Sequence, residues 1–161
     1  MYRANGQNDE ALEQLNKTLE IDPNFPRTHL FLAETYQVMG RYDDAADEFA
    51  KTFLLSGGPP DKVAQFTTTL KNAYKSGGLK AFSRTMSDLL ENTPELGGRA
   101  PVTVVAGYLA DAGETDKAFE VLEQAYQRHD DTITMIKDSR LDRIKSDPRY
   151  LDLIRKVGLP E

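Results

Sequence analysis

Cysteine is absent from the 161 residues, and its absence removes disulfide frameworks, thiol nucleophiles and thiolate metal sites together. A reducing compartment is permitted. Histidine occurs only at positions 29 and 129, far from the dense ligand cluster that a metal site needs. Long apolar runs are also missing, since the most apolar stretch, VTVVAGYLA at 102–110, is about half the length required to cross a bilayer. The first ten residues, MYRANGQNDE, hold no basic segment leading into an apolar core and do not read as a signal peptide. A soluble, cytoplasmic chain without a membrane partner is expected.

Positive charge is in deficit, with 20 Lys and Arg against 26 Asp and Glu, a net charge of −6 and a pI near 5.0. Coating nucleic acid needs clustered Lys and Arg to meet phosphates, so direct nucleic-acid contact is not expected. A hydrophobic fraction of 39% still supports a core, and the length fits one compact domain or a short repeat array.

Paired glycines at 57–58, 77–78 and 97–98 recur at an interval of twenty residues and raise the question of phosphate binding. A Walker loop needs Gly, four residues, then Gly-Lys-Ser/Thr, and a dinucleotide loop needs three spaced glycines between a strand and a helix. SGGPP, SGGLK and LGGRA match neither, so the pairs read as helix ends and turns, where glycine enters the left-handed region without cost. Asp43, Asp44, Glu114 and Asp116 fall at helix starts, where carboxylates favour the positive dipole end. His29 reads as a core or groove residue, and His129 as a cation near a helix C-terminus. No catalytic, cofactor-binding or metal-binding residue is expected.

What the chain does contain is a repeat. NGQNDEALEQLNKTLEIDP (5–23) lies over MGRYDDAADEFAKTFLLSG (39–57) with a shift of 34 residues, and AGETDKAFEVLEQAYQRHD (112–130) keeps the same internal offsets. Tyr2, Tyr36 and Leu109 stand four before the glycines at 6, 40 and 113; Ala33 and Ala106 stand seven before. Such spacing describes a helix ending at each glycine, followed by a second helix. Small residues at 33, 45, 106 and 118 permit close backbone approach, with Tyr36, Phe49 and Leu122 filling the space beside them. Between Gly40 and Gly113 lie two periods plus five residues, so a further, degenerate pair is expected, with stripes Val63, Phe66, Leu70, Tyr74 and Leu79, Phe82, Met86, Leu89. Ser83 and Ser87 take apolar offsets there, and looser packing follows.

The 34-residue period with this order of small and large residues resembles the tetratricopeptide repeat. In PRTHLFLAETYQVMGRYDDAADEFAKTFLLSGG (26–58), Leu32, Ala33, Tyr36, Gly40, Ala45 and Phe49 match that pattern, while His29 replaces the usual Trp, Thr52 a small Ala and Gly57 the closing Pro. The resemblance implies an all-α solenoid of helical hairpins, a right-handed superhelix, with a C-terminal capping helix. Its divisions are a truncated first repeat at 1–24 with only the second helix complete, a complete repeat at 25–58, a degenerate hairpin at 59–96, a repeat at 97–130, and short helices with a cap at 131–161.

The tail KSDPRYLDLIRKVGLP (145–160) reads as a stop: Asp147 as N-cap, Pro148 in the first turn, Arg155 and Lys156 in the last, then Gly158 and Pro160. It resembles the tails of C-terminal tetratricopeptide regions in multidomain bacterial signalling proteins. Ser139 and Leu141 depart from the earlier Asp-Pro-aromatic run of those relatives. With only Tyr2 to Asn5 before the first glycine, the chain reads as the C-terminal piece of a longer protein whose uncovered first repeat promotes self-association.

By this resemblance the first helix of each pair lines a concave face that binds a protein or peptide. The partner-binding candidates are Arg27, Leu30, Glu34 and Gln37; Gln65, Thr68, Asn72 and Lys75; and Thr103 and Gly107. Residues 137–156 hold seven Lys or Arg against four Asp, read either as a solvated face or as a basic docking patch of Arg149, Arg155 and Lys156. The functional expectation is a non-enzymatic scaffold in a bacterial signalling protein, with dimerisation through the first repeat as the alternative.

Overall fold

The computed structural model describes residues 6–93 and 100–160, and the regular elements among them are all helical. They are α1 (Gly6–Ile21), α2 (Pro26–Val38), α3 (Tyr42–Leu55), α4 (Pro60–Asn92), α5 (Val102–Asp111), α6 (Thr115–Gln127) and α7 (Pro148–Val157), with 3₁₀ turns at Asp131–Met135 and Ser139–Ile144 between α6 and α7. The fold is an all-α helical repeat. Tyr2 and the Gly97–Gly98 pair lie outside the described residues.

The described residues up to Lys75 form one compact unit and those from Ser76 a second. In the first, α2 and α3 make an antiparallel pair: the Thr52 hydroxyl, late in α3, donates to the Pro26 carbonyl at the start of α2, 3.5 Å away. Leu32, Ala33, Ala45, Ala46 and Phe49 are buried between them. On its other side α3 meets residues 60–76 of α4 through an edge-on contact of Phe53 with Phe66 at 5.0 Å, a Tyr42–Tyr74 contact at 4.6 Å and an Asp47–Lys71 ion pair at 2.6 Å. Val63, Phe66 and Leu70 are the buried stripe of that arm.

In the second unit α5 and α6 pack together, and both 3₁₀ turns and α7 complete one core. Val105, Ala106, Leu109, Ala118, Leu122, Ala125, Ile133, Ile136, Leu141, Ile144, Tyr150, Leu153 and Ile154 are all buried in it.

One device closes the helices. Arg41 N–H donates to Tyr36 O (2.8 Å) across Gly40, and Glu114 N–H to Leu109 O (2.8 Å) across Gly113. The same bond crosses Gly57 and Gly158. Each of these four glycines has a φ between 77° and 90°, where a Cβ is disfavoured, so carbonyls left over at the helix end find donors without strain. At the end of α6 the position is filled by His129, at φ 56°. Within α4, Gly77 (φ −146°, ψ 15°) and Gly78 (φ 61°, ψ −151°) break the helical path. The Gly78 conformation is open almost only to glycine. Helix endings therefore account for the first two glycine pairs.

The departures from the repeat pattern at His29 and Thr52 are locally satisfied. His29, buried where the pattern has Trp, places Nδ1 2.6 Å from Glu48 Oε2 and Nε2 3.0 Å from the Pro23 carbonyl. The other Glu48 oxygen accepts from Lys51 at 2.7 Å. This polar clasp joins the α1–α2 connection to α3.

Replacing Glu48 with Ala leaves a buried ring nitrogen without a partner and is expected to cost about 1–3 kcal/mol in urea unfolding followed by circular dichroism. The double replacement His29→Phe with Glu48→Leu should recover most of that loss, because both polar groups are then removed together. His129→Gly should raise stability by about 1 kcal/mol, since it relieves a left-handed non-glycine residue; no gain in thermal unfolding would contradict that reading of the α6 end.

Candidate interaction surface

The expected partner-facing residues divide into three sets. On α2, Arg27 is exposed and lies over the ring of Phe31, 5.4 Å from its centroid, while Leu30, Glu34 and Gln37 are half-buried. Phe31 itself is 41% exposed, a large aromatic side chain left in solvent on a helix whose core stripe is Leu32 and Ala33. It was not among the expected residues, and its signal in the sequence was an aromatic one position off the apolar stripe with an Arg one turn before it. On α4, Gln65, Thr68, Asn72 and Lys75 are all exposed and follow one another at helical spacing, opposite Val63, Phe66 and Leu70. Helix α3 supports both sets, since it packs against α2 and against residues 60–76.

The third set is a correction. Thr103 is fully buried, and so is Gly107. A Cβ on Gly107 would stand 3.0 Å from Arg140 Cβ and 3.2 Å from the Arg140 carbonyl oxygen. The side of α5 that repeat periodicity turns toward a partner is covered by the chain's own 3₁₀ turns. The periodicity of a helix reports which residues share a face, not what arrives on that face from thirty residues downstream.

The local basic excess of 137–156 is balanced where it lies. Arg149 pairs with Asp147 (2.8 Å) and Asp116 (2.9 Å) and stacks over Phe119 at 4.3 Å. Lys156 pairs with Glu123 at 2.9 Å and Arg155 with Asp152 at 3.6 Å. Arg149 is held strongly protonated, first by Asp147 and then by Asp116. Glu123 is held below the usual carboxylate range chiefly by Lys156. Glu114, at the start of α6, is lowered by Lys117 and by Arg84. Exposed pairs are each worth little alone; Arg149–Asp116 and Lys156–Glu123 tie α7 to α6. Burial pushes the Tyr150 phenol above its ordinary value, and its hydroxyl donates to the Ile136 carbonyl at 3.0 Å.

Among the described residues no group of three or more His, Cys, Asp or Glu is placed to hold a metal ion, and no helix is long and apolar enough to cross a membrane. Two surface clefts lie in the second unit. One is a shallow surface along α6 bordered by Glu120, Glu123, Gln124, Gln127 and Arg128; the other is lined by Leu90, Val102, Val105 and Val121 with Glu91, Gln124 and Arg128 at its polar rim. Neither gathers acid, base and nucleophile.

Asp147 caps α7 by accepting from Arg149 N–H at 3.0 Å, and its carboxyl lies below its ordinary value of 3.8 because of the Arg149 guanidinium and that N–H. A lowered folded-state value means the contribution is present at neutral pH and lost as pH falls through it. Acidification from about pH 5 to about pH 2 should therefore fray the first turn of α7, read from the Arg149 amide resonance. In Asp147→Ala that pH-dependent change should be absent.

With this geometry in view, the comparisons with known proteins are brief. Residues 2–54, about a third of the chain, match the family described as tetratricopeptide repeat. That stretch spans α1, α2 and nearly all of α3. No curated protein and no solved structure matches the chain.

Proposed function

We propose that the chain is a non-enzymatic protein-interaction module, acting in the cytoplasm, that holds a peptide or a segment of a partner domain on α2 and residues 60–76. The observation that carries this reading is the tetratricopeptide match over 2–54 together with the α2–α3 hairpin, built as repeats of that kind are built. Proteins of that family are generally scaffolds for other proteins. The side chains available on the first unit suit a polar polypeptide: Arg27 and Lys75 offer cations to carboxylates, and Gln65, Thr68 and Asn72 offer donors and acceptors to main-chain amides. The tail motif DPRYLDLIRKVGLP supports a place in a multidomain bacterial signalling or regulatory protein.

A displayed peptide library screened against the purified chain tests the reading. Selected peptides should bind the double variant Arg27→Glu with Lys75→Glu at least about tenfold more weakly, with unfolding unchanged because both residues are exposed. Equal binding by the variant would place the surface elsewhere.

A second reading, self-association through α1, is favoured by one observation. Leu12, Leu15 and Leu19 are only half-buried, Ile21 is 86% exposed, and α2 is the described element against which α1 packs. Sedimentation velocity should then show mass rising with concentration, and Ile21→Glu should restore the monomer. A monomer at every concentration would dismiss it.

A further inference from the structure

We infer that residues 131–144 are the built-in occupant of the inner face of α5, so that the third helical pair is closed to partners and recognition is confined to α2 and residues 60–76. Thr103, Gly107 and Asp111 succeed one another every four residues and share one side of α5. Thr103 is buried, and its neighbour Val102, Gly107 and Asp111 each meet the downstream segment. Val102 N–H, in the first turn, donates to Thr132 Oγ1 at 3.1 Å; Gly107 lies under Arg140; and Asp111 pairs with Arg143.

The segment is fastened along its length. Asp130 caps the first 3₁₀ turn by accepting from Thr132 N–H (3.0 Å), and Asp138 caps the second by accepting from Arg140 N–H (2.8 Å). Ile133 in the first turn, Ile136 just after it, and Leu141 and Ile144 in the second are buried in the core that α5, α6 and α7 share. A partner seeking this face would have to expose four aliphatic side chains before making any contact of its own. The absence of a side chain at 107 admits the Arg140 backbone closely, and a Cβ there would require the segment to give by a few tenths of an ångström.

Seventy-three residues earlier, the positions equivalent to Thr103 and Gly107 are Leu30 and Glu34. Glu34 has a side chain where close backbone approach would need none, so the same mode of closure is not available to α2. The consequence for recognition rests on the interaction-module reading above. The closure does not.

Hydrogen exchange measured by NMR on the full chain decides the closure. The Ile136 and Leu141 amides, which donate to Ile133 O and Asp138 O, should be protected about a thousandfold or more and should exchange at rates matching the Gly107 amide, as one cooperative unit. Exchange of the segment more than about tenfold faster than α5 would show that it lifts by itself, and would overturn the proposal.

A staple supplies the second arm. In the cysteine-free chain, Gly107→Cys with Arg140→Cys should form a disulfide after a shift of under an ångström. The oxidised chain should bind library-selected peptides within about twofold of the reduced one, whereas a loss of about tenfold or more would show that the α5 face is the site. Failure to select any peptide would count against the interaction reading and leave the exchange measurement to judge the closure.

Discussion

Close approach of helix backbones at buried alanines is the constraint on which the rest of the structure depends. Ala33, Ala45, Ala46, Ala106 and Ala118 have no exposed surface. A larger side chain at any of them would push the paired axes apart and empty the spaces that Leu32, Phe49, Leu109 and Leu122 fill. A short turn is then required, because two helices that touch along their length leave only a few residues to reverse direction. The glycines at 40 and 113, one beside each seam, answer that requirement. Packing and turn chemistry thus select the same residues in both repeats.

Where the repeat pattern is broken, the outcome depends on whether the new polar group finds a partner. His29 and Thr52 stand where the pattern has Trp and Ala, and both are satisfied: His29 by Glu48 and Pro23, Thr52 by the Glu48 and Pro26 carbonyls. Ser83 and Ser87 are different. Both are buried, and their hydroxyls have no hydrogen-bond partner among the described residues. A buried hydroxyl without a partner is a cost that an alanine would not carry. The pattern is weakest in this stretch, and the local chemistry is least consistent there too.

The helical architecture was legible because its signals are local. Apolar periodicity, small residues at fixed offsets and glycine at the turn each act within about one helical turn. The exposure of the candidate residues was legible in part. Arg27, Gln65, Thr68, Asn72 and Lys75 are exposed as a partner-facing surface requires. Thr103 and Gly107 are buried instead, and the segment that covers Gly107 lies about thirty residues further on and is joined to it by no periodicity. The local basic excess was overstated for a related reason. A count of charges along the chain omits Asp116 and Glu123, which reach Arg149 and Lys156 from a neighbouring helix.

By itself the sequence determined where helices form, where they stop and which of their residues share a face, since backbone hydrogen bonding and steric limits on φ operate between residues close in the chain. Tertiary structure decided which of those faces stay open. That choice is made by burial of Ile133, Ile136, Leu141 and Ile144 against α5, and apolar burial is non-directional. Nothing in the local pattern of α5 says that its occupant is the chain itself.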